Sequence, residues 1–152
     1  MFAMIQGKWF PQGADLSEPL SVRETVFGRG LDGLDREAWN VLVYQDEIPA
    51  AAGRLWWHEG SFWLGDVCVL PEYRGRRMGD LVLRLLLFKA QNHFAREVRL
   101  LTPPETEGFF SRLGFREAAR GEAGIEMCVA GEDIDLDSCK SCRKTDCPNR
   151  KE

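Results

Sequence analysis

The chain has 152 residues, enough for one domain with a proper core. Its 44% hydrophobic and 29% charged residues are ordinary for a soluble globular protein, and a net charge of −4 argues against a nucleic-acid module, which carries a broad basic surface. No uninterrupted apolar stretch reaches the roughly eighteen residues of a membrane span. The start MFAMIQGKWFPQGADLSE also lacks the charged head and apolar run of a secretion signal, so a cytoplasmic location is expected.

In chain order, residues 1–10 read as a first strand, closed by Pro11 and Gly13. The capping residues around Ser17 predict a helix over 18–27, ended by Gly28 and Gly30. Strands are expected at 40–44, 50–57 and 62–70, joined by turns at 45–47 and 58–61, which together make an antiparallel meander. Pro71 stops the third strand and holds Leu70 extended. A helix over 79–94 follows. It is apolar around most of its circumference, with one polar stripe at Arg77, Arg84 and Gln91, so it should be buried on most sides. A strand at 98–101, a break at Pro103-Pro104, a short helix over 105–113 and strands at 115–118 and 125–129 complete the order. Such an order predicts an α/β (α+β) sheet with helices against it. After Gly131 the composition turns acidic, then basic, with little apolar to bury. Residues 1–131 are therefore read as the domain and 132–152 as a cysteine-rich tail.

The segment VLPEYRGRRMGD crowds Arg74, Arg76 and Arg77 between a strand and a helix start. Arginines there have the wrong sign for the helix dipole, which suggests an anionic ligand. The first amides of a helix lack carbonyl partners, Gly75 and Gly79 let the backbone approach closely, and the arginines add charge-assisted donors. A pyrophosphate would satisfy all of these groups. The loop is neither a Walker loop nor a dinucleotide-binding G-x-G-x-x-G.

VCVLPEYRGRRMGDLVLRLLL resembles the acetyl-CoA-binding signature of the GNAT superfamily of N-acetyltransferases, V-x-P-x-[YF]-[QR]-x-x-G-x-[GA]. Val69, Pro71, Tyr73, Arg74 and Gly79 match it, and Arg77 stands where glycine is usual. Residues 22–55 are similar to the start of one bacterial GNAT group, FFSRLGFREA to its fYeklGF element and EAGIEMCV to its closing strand, so the likeness covers about residues 19–130 in order. The resemblance implies a mostly antiparallel, twisted sheet of six to seven strands, with helices on both faces and two splayed central strands, 62–70 and 98–101. It implies that Arg74, Gly75, Arg76, Arg77, Met78, Gly79 and Asp80 surround the CoA pyrophosphate, and that Val67, Cys68 and Val69 pair with the pantetheine arm. The amine acceptor would enter from the other side.

Acetyl transfer needs a neutral amine, a proton acceptor and a donor for the leaving thiolate. The tyrosine that often donates in this family is Phe110 here, which can still pack on the pantetheine arm. Asp66 is a candidate base or amine anchor, read by period-two alternation as sharing a face with Leu64 and Cys68; the other reading is a carboxylate paired with an arginine. Glu126, on the closing strand, has a similar claim. His58 and His93 read as surface residues, Cys68 as a buried thiol, and Trp56, Trp57 and Trp63 as packing or as a platform for a flat acceptor. In the tail, Cys139, Cys142 and Cys147 have chelating spacing, with Cys128 a candidate fourth ligand. Zinc, an iron–sulfur cluster and plain reduced thiols are the three readings.

The expected function is an acetyl-CoA-dependent N-acetyltransferase acting on a primary amine of a small molecule or a protein. The alternative is a CoA-binding sensor with a metal- or redox-responsive tail. Partners are acetyl-CoA and the acceptor, with no nucleic acid or membrane; a homodimer stays open.

Overall fold

The computed structural model describes residues 4–134 and Leu136. The elements are β1 (Ile5–Phe10), α1 (Ser17–Phe27), β2 (Trp39–Gln45), β3 (Ile48–His58), β4 (Ser61–Val69), α2 (Met78–Asn92), β5 (Glu97–Thr102), α3 (Glu107–Ser111), β6 (Arg116–Gly121) and β7 (Gly124–Ala130). They form one seven-stranded mixed sheet in the order β1-β2-β3-β4-β5-β7-β6. Every neighbouring pair is antiparallel except β4 with β5. The expected meander is β2-β3-β4, and the expected α/β fold with helices on both faces is the one observed.

Which face each helix covers follows from strand alternation. Val41 and Val43 pack in a cluster with Val82, Leu83 and Leu86 of α2, whereas Leu42 between them packs with Val22 of α1. Phe110 of α3 belongs to the α2 cluster, together with Leu100, Ile125 and Met127. So α2 and α3 share one face and α1 lies on the other. The apolar girth of α2 read from the sequence is the reason: Val82, Leu83, Leu86, Leu87 and Ala90 are all buried.

Two features open the sheet. First, β4 and β5 pair only at Phe62–Val98 and Trp63–Arg99, and beyond them the strands part. Second, the β3–β4 register shifts between Ala52 and Arg54, where Asp66 sits at a φ of 53°. The β4 residues opposite Ala52 and Arg54 are Cys68 and Gly65, so two β4 residues face Gly53, which is a β-bulge. The extra residue inverts the alternation. Leu64 packs with the α2 cluster and Cys68 with the α1 cluster, so the expectation that Leu64, Asp66 and Cys68 share one face is corrected.

Several boundaries also differ from the sequence reading. A 3-10 turn at Gly33–Arg36, stabilised by a reciprocal Asp32–Asp35 capping box, was not anticipated. α2 ends at Asn92, and α3 is a five-residue helix preceded by a 3-10 turn at Pro104–Thr106. The C-terminal packing continues past Gly131, where composition placed the boundary. Ile134 is buried in the α2 cluster and Leu136 packs against it. The polar stripe of α2 holds this segment: Arg84 donates to the Leu136 carbonyl and Gln91 to that of Ile134.

Candidate active site

The loop between β4 and α2 is built by three local constraints. Pro71 opens a 3-10 turn after an extended Leu70. Gly75 takes a φ of 81°, which glycine adopts at no steric cost. Arg77 caps α2 in the left-handed region, with a φ of 62°, which is the conformation the usual glycine would adopt without strain. The first amide bonded to this turn is that of Leu81, to the Arg77 carbonyl at 3.1 Å, so the amides of residues 78–80 face the helix mouth.

A cavity of about 360 Å³ lies at that mouth, lined by Arg74, Gly75, Arg77, Gly79, Phe109 and Arg112 among others. A second cavity, of about 480 Å³, shares Val69, Arg74, Gly79 and Phe109 with the first. It continues through the β4–β5 opening to Phe27 and Arg29 on one side and Thr102–Thr106 on the other. One cleft therefore crosses the sheet from the start of α2 to the end of α1.

The structure sorts the sequence-derived candidates around this cleft. Arg74, Gly75, Arg77, Met78, Gly79 and Asp80 line its mouth, and Val67, Cys68 and Phe110 its inner part; Val69 lines both. Arg76 is turned aside, its guanidinium 5.5 Å over the Tyr73 ring. Arg74 donates its Nε–H to the Val69 carbonyl at 3.1 Å, bracing the loop against the end of β4. The Asp80 carboxylate accepts from Arg84 Nε at 2.8 Å, so it is drawn along the helix. Phe110 is buried edge-on between Phe109 and Phe115. Cys68 is 4% exposed, and burial pushes its thiol up to about 12, so it stays protonated as packing.

Asp66 projects to the α1 face and meets three arginines. It lies 2.8 Å from Arg54, 2.5 Å from Arg29 and 3.8 Å from Arg23. Behind it, Arg23 forks onto Asp35 at 2.9 and 3.0 Å, and Arg54 forks onto Asp32 at 2.7 and 2.8 Å. Burial alone would raise the Asp35 carboxyl, but hydrogen bonds from Arg23 and the Asp32 amide, with the charges of Arg23 and Arg54, hold it at about 2. This cluster of three guanidiniums and three carboxylates was missed in the sequence. The legible signal was Arg54, a lone charge inside the otherwise apolar run AAAGRLW. Of the six side chains, Arg29 is the most exposed, at 51%.

Glu126 is not among the residues lining the cleft; it accepts from Arg99 at 2.6 Å on the sheet face away from α2. There Glu97 accepts hydrogen bonds from Ser61, the Cys128 thiol and Arg99, which hold it at about 2. Burial pushes the Cys128 thiol up to about 11. Among the described residues no group of three or more His, Cys, Asp or Glu is placed to hold a metal ion. The tail cysteines Cys139, Cys142 and Cys147 lie outside the described residues. No helix among the described residues is long and apolar enough to cross a membrane.

A sheet split between two parallel central strands, with a cleft running from a helix mouth through the split, is the arrangement that the resemblance to the GNAT superfamily implied. The comparisons with known proteins agree. A family model described as an acetyltransferase (GNAT) domain matches residues 37–117, more than half of the chain. The chain belongs to that family and is an acyltransferase. It is 28% identical to the uncharacterized N-acetyltransferase YjcF of Bacillus subtilis, over 72% of this chain and 86% of that protein. Its fold is that of an acyl-CoA N-acyltransferase from Pseudomonas aeruginosa, with a TM-score of 0.75 and 21% identity over 84% of this chain and all of that one. It is also shared by a GNAT family acetyltransferase from Elizabethkingia anophelis solved with acetyl-CoA bound, with a TM-score of 0.69 and 12% identity over 83% of this chain and 97% of that one.

Proposed function

We propose that this chain transfers an acetyl group from acetyl-CoA to a primary amine, with CoA at the start of α2 and the acceptor entering from the α1 side. The observation that carries this reading is the single cleft that joins the two sides through the β4–β5 opening. The residues at its mouth fit a diphosphate. The amides of Met78, Gly79 and Asp80 would donate to it, and Arg74 and Arg77 would add charge-assisted contacts. Beyond Trp63, β4 has no β5 partner, so its edge at Val67–Val69 can pair with an extended pantetheine arm. Phe109 and Phe110 give that arm an apolar wall.

The thioester supplies an activated acetyl group. Transfer forms a C–N bond and breaks the C–S bond. We assign the amine proton to water in the cleft, and the proton taken up by the leaving thiolate to water as well. Asp66 and Glu126, the carboxylates expected to act, instead hold guanidiniums, and Phe110 has no hydroxyl. On this reading Asp66 is a positioning residue that fixes the β4 bulge.

The test measures CoA affinity by titration calorimetry, beside amine-dependent release of the CoA thiol. The double variant Arg74→Ala/Arg77→Ala should bind CoA at least about ten-fold more weakly, as expected for the loss of one or two charge-assisted contacts. An unchanged affinity, with circular dichroism intact, would contradict the placement of the pyrophosphate. Tight CoA binding without thiol release on any amine would overturn the transfer reading in favour of a CoA sensor.

A further inference from the structure

We propose that Arg29 selects the acceptor, and that the acceptor is an amine that also carries a carboxylate on an apolar skeleton, as an amino acid does. This rests on the transfer reading above and adds the substrate class. The argument starts from the ionisable groups that line the inner cavity, namely Arg29, Asp66, Cys68 and Arg74. Cys68 is neutral at physiological pH. Arg74 stands at the cofactor end, where it also lines the mouth of α2. Asp66 is 11% exposed, and both of its oxygens are engaged by guanidiniums. Arg29 is thus the charge that the cleft presents to a molecule arriving from the α1 side.

Arg29 is also held in place. Two of its five N–H donors go to Asp66, at 2.5 and 3.4 Å, and its guanidinium carbon lies 4.9 Å over the Phe27 ring. The hydrogen bond to Asp66 raises its affinity for its proton, so it stays charged. The buried members of the cluster already balance, Arg23 and Arg54 against Asp35 and Asp66, which leaves Arg29 and Asp32 as its exposed members. A carboxylate reaching Arg29 therefore meets donors in an oriented fork, without having to break the buried pairs. The surroundings set the rest of the acceptor. Phe27 and Leu101, 42% and 53% exposed, flank the opening, and Val26, Leu100 and Pro103 line the wall. An apolar body between a carboxylate at Arg29 and an amine at the β4–β5 split complements these groups.

Matched pairs test this: L-phenylalanine against 2-phenylethylamine, and L-leucine against isoamylamine, compared at equal concentrations of neutral amine. The wild type should favour the carboxylate-bearing member by at least ten-fold in kcat/KM. Arg29→Gln should bring that ratio close to one, and Arg29→Lys should keep part of it. Binding of N-acetyl-L-phenylalanine and N-acetyl-2-phenylethylamine by calorimetry gives a second readout independent of turnover, with the same order expected. A ratio near one in the wild type, or a preference that survives Arg29→Gln in both readouts, overturns the proposal. CoA affinity is measured in parallel. Retained CoA affinity with no carboxylate preference removes the acceptor assignment alone, whereas absent CoA binding in the wild type removes the transfer reading.

Discussion

Replacing Asp35 with alanine separates the buried ionic cluster into its parts. Asp35 is 4% exposed and accepts both arms of the Arg23 fork, a 3.2 Å contact from Arg54 and the Asp32 amide at 3.0 Å. Without it, Arg23 is left at 3% exposure with Asp66, 3.8 Å away, as its nearest carboxylate among the described residues. Removing one partner of a buried pair leaves an uncompensated charge and costs about 3–5 kcal/mol. For a chain of this size that lowers Tm by roughly 6–20 °C. Asp66→Ala is the matched control. It removes the 2.8 Å contact to Arg54, but Arg54 keeps Asp32 at 2.7 and 2.8 Å, and the half-exposed Arg29 can turn to solvent. Its expected cost is about 1–2 kcal/mol, that of a charged hydrogen bond in part replaced. Urea unfolding followed by the fluorescence of the five tryptophans measures both values. An Asp35→Ala cost below about 1 kcal/mol, or an Asp66→Ala cost equal to it, would refute the reasoning that Asp35, rather than the cleft-facing Asp66, neutralises the buried Arg23.

Acid should destabilise the fold in a defined window. Asp35 and Glu97 fall from ordinary values of 3.8 and 4.5 to about 2 in the folded state, so their stabilisation is complete above the unfolded values and is lost as pH falls through the folded ones. The urea midpoint should be level above about pH 5 and fall between about pH 4.5 and pH 2, with a shallower fall in Asp35→Asn/Glu97→Gln; identical slopes would contradict the assignment. Gly131→Ala should destabilise by about 1–3 kcal/mol, because the added Cβ would lie 2.0 Å from the Ala95 carbonyl oxygen, a backbone atom that cannot turn aside. Amide exchange at Ile134 should speed up in that variant, and a midpoint within error of the wild type would show that the 131–136 segment does not rest on this contact.

The loop between β4 and α2 and the sheet that carries it were legible because their causes are local. Pro71 stops a strand, Gly75 takes a left-handed turn, and the run of leucines in α2 has nowhere to go but a core. Strand alternation set the meander in the same way. The roles of Asp66 and Glu126 were not legible. A one-residue bulge in β4 changes which neighbours share a face with Asp66, and its partners Arg29 and Arg23 come from 37 and 43 residues away. Glu126 lies on the expected strand, yet its partner Arg99 comes from the neighbouring strand β5, 27 residues away in sequence.

Local chemistry by itself determined where the backbone turns, which helix is buried and where glycines and arginines gather at a helix start, since each depends on a few consecutive residues. The tertiary structure decided which charges meet. Pairing across the sheet depends on register, and a single inserted residue changes every side-chain neighbour beyond it.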